Sequence, residues 1–85
     1  MRKIFKYLIE ESVLIPKNHK VVLVDLDPQS GEFYIWEEFE ESDAVKQMVY
    51  FRIFGTGHLI PDGFEHVHSY IEGQFVWHIY KCEKQ

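Results

Sequence analysis

Val21-Val22-Leu23-Val24-Asp25-Leu26, Asp27-Pro28-Gln29-Ser30-Gly31 and Glu32-Phe33-Tyr34-Ile35-Trp36-Glu37-Glu38-Phe39 follow one another without a break, and their order decides the fold class. The first run is almost wholly apolar and β-branched, the composition of a central strand covered on both faces. The second places proline where a turn wants its first central residue and glycine where the exit needs a left-handed conformation. The third alternates, with Phe33, Ile35 and Phe39 on one face and Tyr34 and Trp36 on the other. Strand, turn and strand make a hairpin.

Toward the N-terminus, Lys3 to Ile9 alternates as a half-buried strand with Phe5, Tyr7 and Ile9 on one face. Glu10 to His19 carries turn chemistry, including Pro16 and Asn18. Val13-Leu14-Ile15 within it forms a short strand or packs as a plug. Beyond the hairpin, Glu40-Glu41-Ser42-Asp43 reads as a mobile, solubilising loop that lacks the oxygen spacing and glycine of a calcium site. Ala44 to Met48 has helical propensity, but Gln47 to Phe54 is β-branched and aromatic and reads as a strand. Pro61-Asp62-Gly63 marks a turn, His66 to Ile71 a strand, Gly73 a break, and Phe75 to Cys82 a last strand. The expectation is an all-β single domain over residues 1–85, with at most one short helical turn. Five or six antiparallel strands would curl into a sandwich or open barrel.

Eighty-five residues need a dense core to fold alone, and seven Phe, five Tyr and two Trp supply it. Met1 to Lys6 lacks the apolar run of a signal peptide, and no apolar stretch is long enough to span a bilayer as a helix. The single Cys82 excludes an internal disulfide and fits a reducing compartment. A net charge of −5, with five acids between Glu37 and Asp43, disfavours duplex nucleic acid as a partner. Arg2, Lys3 and Lys6 read as a charged strand edge that discourages sheet-to-sheet pairing.

The chemistry concentrates in Phe51-Arg52-Ile53-Phe54-Gly55-Thr56-Gly57-His58. Backbone N–H groups in a Gly-Thr-Gly turn can form an anion-binding nest, and the Arg52 guanidinium would add a charge-assisted contact to phosphate or carboxylate. The plainer alternative is that the glycines let the chain turn while His58 satisfies a backbone carbonyl. Two or three of Tyr34, Trp36, Tyr50, Trp77 and Tyr80 would line a groove and stack on a planar base, and Trp36, Trp77 and His78 join the candidate site. His66 and His68, two apart, would share a strand face, as would His78, Tyr80 and Cys82. Zinc spacing of the kind that makes a site convincing is absent, so no metal and no cofactor is expected. Cys82 and His78 lie about 13 Å apart along a strand, beyond hydrogen-bond reach, and Asp25, Asp27 and Glu32 read as hairpin-end charges. No catalytic residue is assigned, and a non-enzymatic role is favoured.

Phe51-Arg52-Ile53-Phe54-Gly55-Thr56-Gly57-His58-Leu59-Ile60-Pro61-Asp62 and Phe75-Val76-Trp77-His78-Ile79-Tyr80 carry a family likeness. So do Lys3-Ile4-Phe5-Lys6-Tyr7, Leu14-Ile15-Pro16-Lys17 and Ile35-Trp36. Together they resemble a family of short bacteriophage and prophage proteins without an established activity. The likeness departs at the acidic run Glu37 to Asp43 and at Leu59, where a proline is common. It implies a small cytoplasmic accessory protein expressed in an infected bacterial host.

The function expected is therefore a phage binding protein, an anti-defence factor that sequesters a small nucleotide-derived signal or another anionic metabolite. The alternative is a module that inhibits a host enzyme, with the acidic run mimicking nucleic acid. A homodimer is expected, because apolar and aromatic residues on both faces of the hairpin exceed what one short chain can cover.

Overall fold

A computed structural model describes residues 1–9 and 12–84; Glu10 and Glu11, where the first turn was expected to begin, lie outside the described residues. Among the described residues there are seven strands: β1 (Arg2–Leu8), β2 (Ser12–Pro16), β3 (His19–Leu26), β4 (Phe33–Glu40), β5 (Lys46–Gly55), β6 (Glu65–Glu72) and β7 (Phe75–Lys84). They form two antiparallel sheets in the orders β1-β4-β3 and β2-β5-β7-β6. The sheets pack face to face and do not close into a barrel. The strand count exceeds the expectation partly because Val13-Leu14-Ile15 is a strand paired to β5. No helix occurs among the described residues, and Ala44 and Val45 are irregular before β5 begins at Lys46.

The β3–β4 hairpin forms as its sequence demands. Gly31 takes φ 75° and its N–H donates to the Asp27 carbonyl at 2.8 Å, while the Asp27 carboxylate accepts the Gln29 N–H at 2.9 Å. The position of its arms in the sheet is a correction. β4 is central and β3 is an edge strand, with Val22 and Leu23 exposed beside a bulge between Val21 and Leu23. An apolar run fits a central strand, but the β1 pairing claims the other edge of β4 and leaves β3 outermost.

Ile9, Ile15, Val24, Phe33, Ile35, Val49, Phe51 and Ile79 form the core between the sheets. Phe33 of β4 meets Tyr70 of β6 edge-to-face across the gap, with centroids 5.2 Å apart.

The expected loop Glu40 to Asp43 is corrected at its start, since Glu40 belongs to β4; Glu37 and Glu38 lie on that strand as expected, and Glu37 is fully buried. Arg2 pairs with Glu38, Lys3 with Glu41, and the Met1 amino group with Glu40. The N-terminal cations therefore face the end of β4 and the loop after it, because antiparallel register sets β1 beside β4.

Candidate functional site

At the end of β5 the chain turns tightly, with the His58 N–H donating to the Gly55 carbonyl at 3.2 Å and Gly57 at φ 91°. That conformation is one that only glycine adopts without strain. The His58 ring folds back so that its Nδ1 accepts the Gly55 N–H at 3.1 Å. His58 thus satisfies a backbone donor rather than the carbonyl expected from sequence, and it takes one N–H from the supposed anion nest. Arg52 projects from β5 toward the Phe54 ring, 5.9 Å from its centroid.

Gly55, Thr56 and His58 form one wall of an open cleft of about 480 Å³ whose other wall is Gln74, Phe75, Val76 and Trp77 at the start of β7. Phe75 and Trp77 stack at 6.1 Å with their planes 24° apart, and Phe75 stays 56% exposed. The Trp77 indole N–H donates to the Glu72 carboxylate at 3.1 Å, which holds the ring in place. Trp77 also borders a second hollow of about 360 Å³ between the sheets, with Phe33 and Ile53. The cleft offers a broad aromatic face, a hydroxyl, an imidazole and an amide, and among the described residues no Lys or Arg lines it.

His78 lies behind this wall, in a hydrogen-bonded chain. Its Nε2 meets the Thr56 hydroxyl at 3.0 Å, its Nδ1 meets the Ser69 hydroxyl at 2.9 Å, and Ser69 meets His66 Nε2 at 2.9 Å. A bulge in β6 sets His66 opposite Tyr80 and His68 opposite Ile79. The two histidines therefore face opposite sides of the sheet, against the expectation that they share a face. Among the described residues no group of three or more His, Cys, Asp or Glu could hold a metal ion.

A second polar centre sits at the far end of β7. The His19 side chain is 2% exposed and its Nδ1 donates to the fully buried Glu37, while Nε2 approaches Glu83 at 3.3 Å. Lys81 holds Glu83 at 2.8 Å. Hydrogen bonding to Glu37 is the main cause that raises the His19 pKa above its ordinary 6.5, against the opposing effect of burial. Lys81, then Gln47 and His19, hold the Glu83 carboxyl below its usual range. Burial and then the Glu37 carboxylate push the Tyr7 hydroxyl up. The His19 imidazole ties β3 and β4 of one sheet to β7 of the other.

The structure thus brings Gly55, Thr56, His58 and Trp77 to one cleft, with His78 hydrogen-bonded to Thr56. Gly57 shapes the turn. Arg52 is turned to Phe54, and Trp36 lies on the other sheet beside Tyr34 and beneath Lys6. Phe75 and Gln74 are wall residues that sequence reasoning did not single out, although Phe75 opens the quoted FVWH string. Glu37 was missed too, and its signal was present: it continues the alternation of Phe33, Ile35 and Phe39 onto the buried face.

Among the described residues no helix is long and apolar enough to cross a membrane. No curated protein and no solved structure matches the chain. The family described as domain of unknown function DUF7352 matches residues 1–85, the whole length given, and the chain belongs to that family.

Proposed function

We propose that this chain is a non-enzymatic binding protein that captures a small nucleotide-derived ligand through its planar base, acting for a bacteriophage as an anti-defence factor in the host cytoplasm. The observation that carries the reading is the stacked Phe75–Trp77 pair, with Phe75 left exposed beside the Thr56 hydroxyl and the Gln74 amide. An exposed aromatic face stabilises a bound base by about 1–3 kcal/mol, and one or two polar groups select its edge. The resemblance to phage accessory proteins supplies the biological setting. Because no Lys or Arg lines the cleft among the described residues, the base rather than the phosphate is the recognised part.

The test is titration with nucleosides and with linear and cyclic nucleotides. Binding is followed by calorimetry and by Trp77 fluorescence in a Trp36→Phe background. Saturable quenching by at least one ligand is expected, with affinity at least tenfold weaker in Phe75→Ala. A folded protein silent to the whole panel overturns the reading.

Capture of a host enzyme by acidic mimicry draws less support, since Glu37 is buried and Glu38 and Glu41 are matched by Arg2 and Lys3. A homodimer remains part of the proposal, with Ile4, Val22 and Leu23 exposed on the three-stranded sheet. Light scattering should return twice the chain mass, and a monomer mass removes that element alone.

A further inference from the structure

The end of the sandwich opposite the aromatic cleft holds another concavity. It is a cleft of about 500 Å³ between the β2–β3 turn, the ends of β4 and β7, and the start of β1. We propose that it binds a phosphate-bearing small molecule through Lys17, Asn18 and Lys20. The inference goes beyond the base-binding reading and does not depend on it.

The charge balance of the walls carries the argument. Four basic side chains, Arg2, Lys17, Lys20 and Lys81, face three carboxylates, Glu38, Glu40 and Glu83. Arg2 is taken by Glu38, Lys81 by Glu83, and Glu40 by the Met1 amino group. His19, also in the wall, is balanced by Glu37 and Glu83. Lys17 and Lys20 are left without a carboxylate partner among the described residues, and both are exposed. Two ammonium groups flanking an amide are a donor set for phosphate oxygens.

The scaffold beneath them is fixed at both ends. The Lys17 N–H donates to the Val45 carbonyl at 2.8 Å, and His19 and Lys20 pair with Phe39 and Glu38 in the other sheet. The segment therefore bridges the sheets, and little backbone entropy is lost when a ligand arrives. The chain's net charge of −5 does not forbid this, because charges beyond about 8 Å are screened at physiological ionic strength and the local excess decides.

The experiment titrates the isotopically labelled full chain with pyrophosphate at physiological ionic strength, with sodium chloride at matched ionic strength as control. Amide shifts should concentrate at Lys17 to Lys20 and saturate. Lys17→Gln/Lys20→Gln should weaken binding at least tenfold with native spectral dispersion kept, while Arg52→Gln leaves it unchanged. Should the double variant lose its fold, each single variant is expected to weaken binding about threefold. Shifts that chloride reproduces, that survive both lysine substitutions, or that appear at Gly55 to His58 instead overturn the proposal.

Discussion

The two ends of the sandwich solve the same problem with opposite chemistry. At the His19 end, the gap between the sheets is closed by an imidazole held between Glu37 and Glu83, with Lys81 behind. At the Trp77 end it is closed by aromatic rings, and hollows of about 360 and 480 Å³ remain beside Trp77. A charge left unmatched in the interior is costly, so the first end is sensitive to the loss of either partner. Aromatic contacts are less directional. The second end can therefore leave a face open to a ligand without loss of the sheet pairing.

The largest effect expected comes from removing one partner of the ionic end. His19→Ala strands the Glu37 carboxylate, one of whose oxygens already lacks a hydrogen bond among the described residues, and should cost about 3–5 kcal/mol in urea unfolding. His19→Leu/Glu37→Leu should recover most of that loss. If the double variant is no more stable than the single one, packing rather than unmatched charge makes this end cohesive.

Next comes pH. A histidine whose pKa is raised on folding contributes stability that is complete below its unfolded value of 6.5 and disappears as pH rises through the folded value. The melting temperature should therefore fall as pH rises above 6.5 and through the folded value, by less than the His19→Ala effect, since neutral imidazole still donates to one carboxylate. A His19→Gln variant should show a flatter profile over that window. Equal slopes in the two proteins would remove the imidazolium from the account.

Smaller effects belong to the aromatic end. Gly57→Ala meets no neighbour within 4 Å, so its cost comes from the φ of 91° alone, about 1–2 kcal/mol. Phe75→Ala should lower stability by about 0.5–1.5 kcal/mol through the lost stack on Trp77. A loss as large as that of His19→Ala would erase the distinction between an end that binds the sheets and an end that binds a ligand.

Most strands were legible because hydrophobic alternation has a period of two wherever one face is buried. Gly31, Gly63 and Gly73, all at positive φ, punctuate the strands as expected. The candidate site was legible in part. Gly55, Thr56, His58 and Trp77 do share a cleft, since the strands that carry their strings pair in register, with Gly55 opposite Trp77. Arg52 and Trp36 left the group for different reasons. Arg52 faces the outer side of β5, where Phe54 takes it, and Trp36 belongs to the other sheet. The bulge that separates His66 from His68 has no marker in composition, because one extra residue in a strand leaves the side-chain types unchanged.

By itself the sequence determined the local geometry: strands where apolar residues alternate, turns where glycine and proline permit them, and an aromatic surplus beside a glycine loop. Only the tertiary structure decided which strands are central, that the N-terminal cations meet the acidic run, and that His19 and Glu37 form a buried pair. These outcomes depend on pairings between residues far apart in the chain. Each strand offers two edges and two faces, and the arrangement that buries the most apolar surface while matching its charges is selected by the whole chain at once.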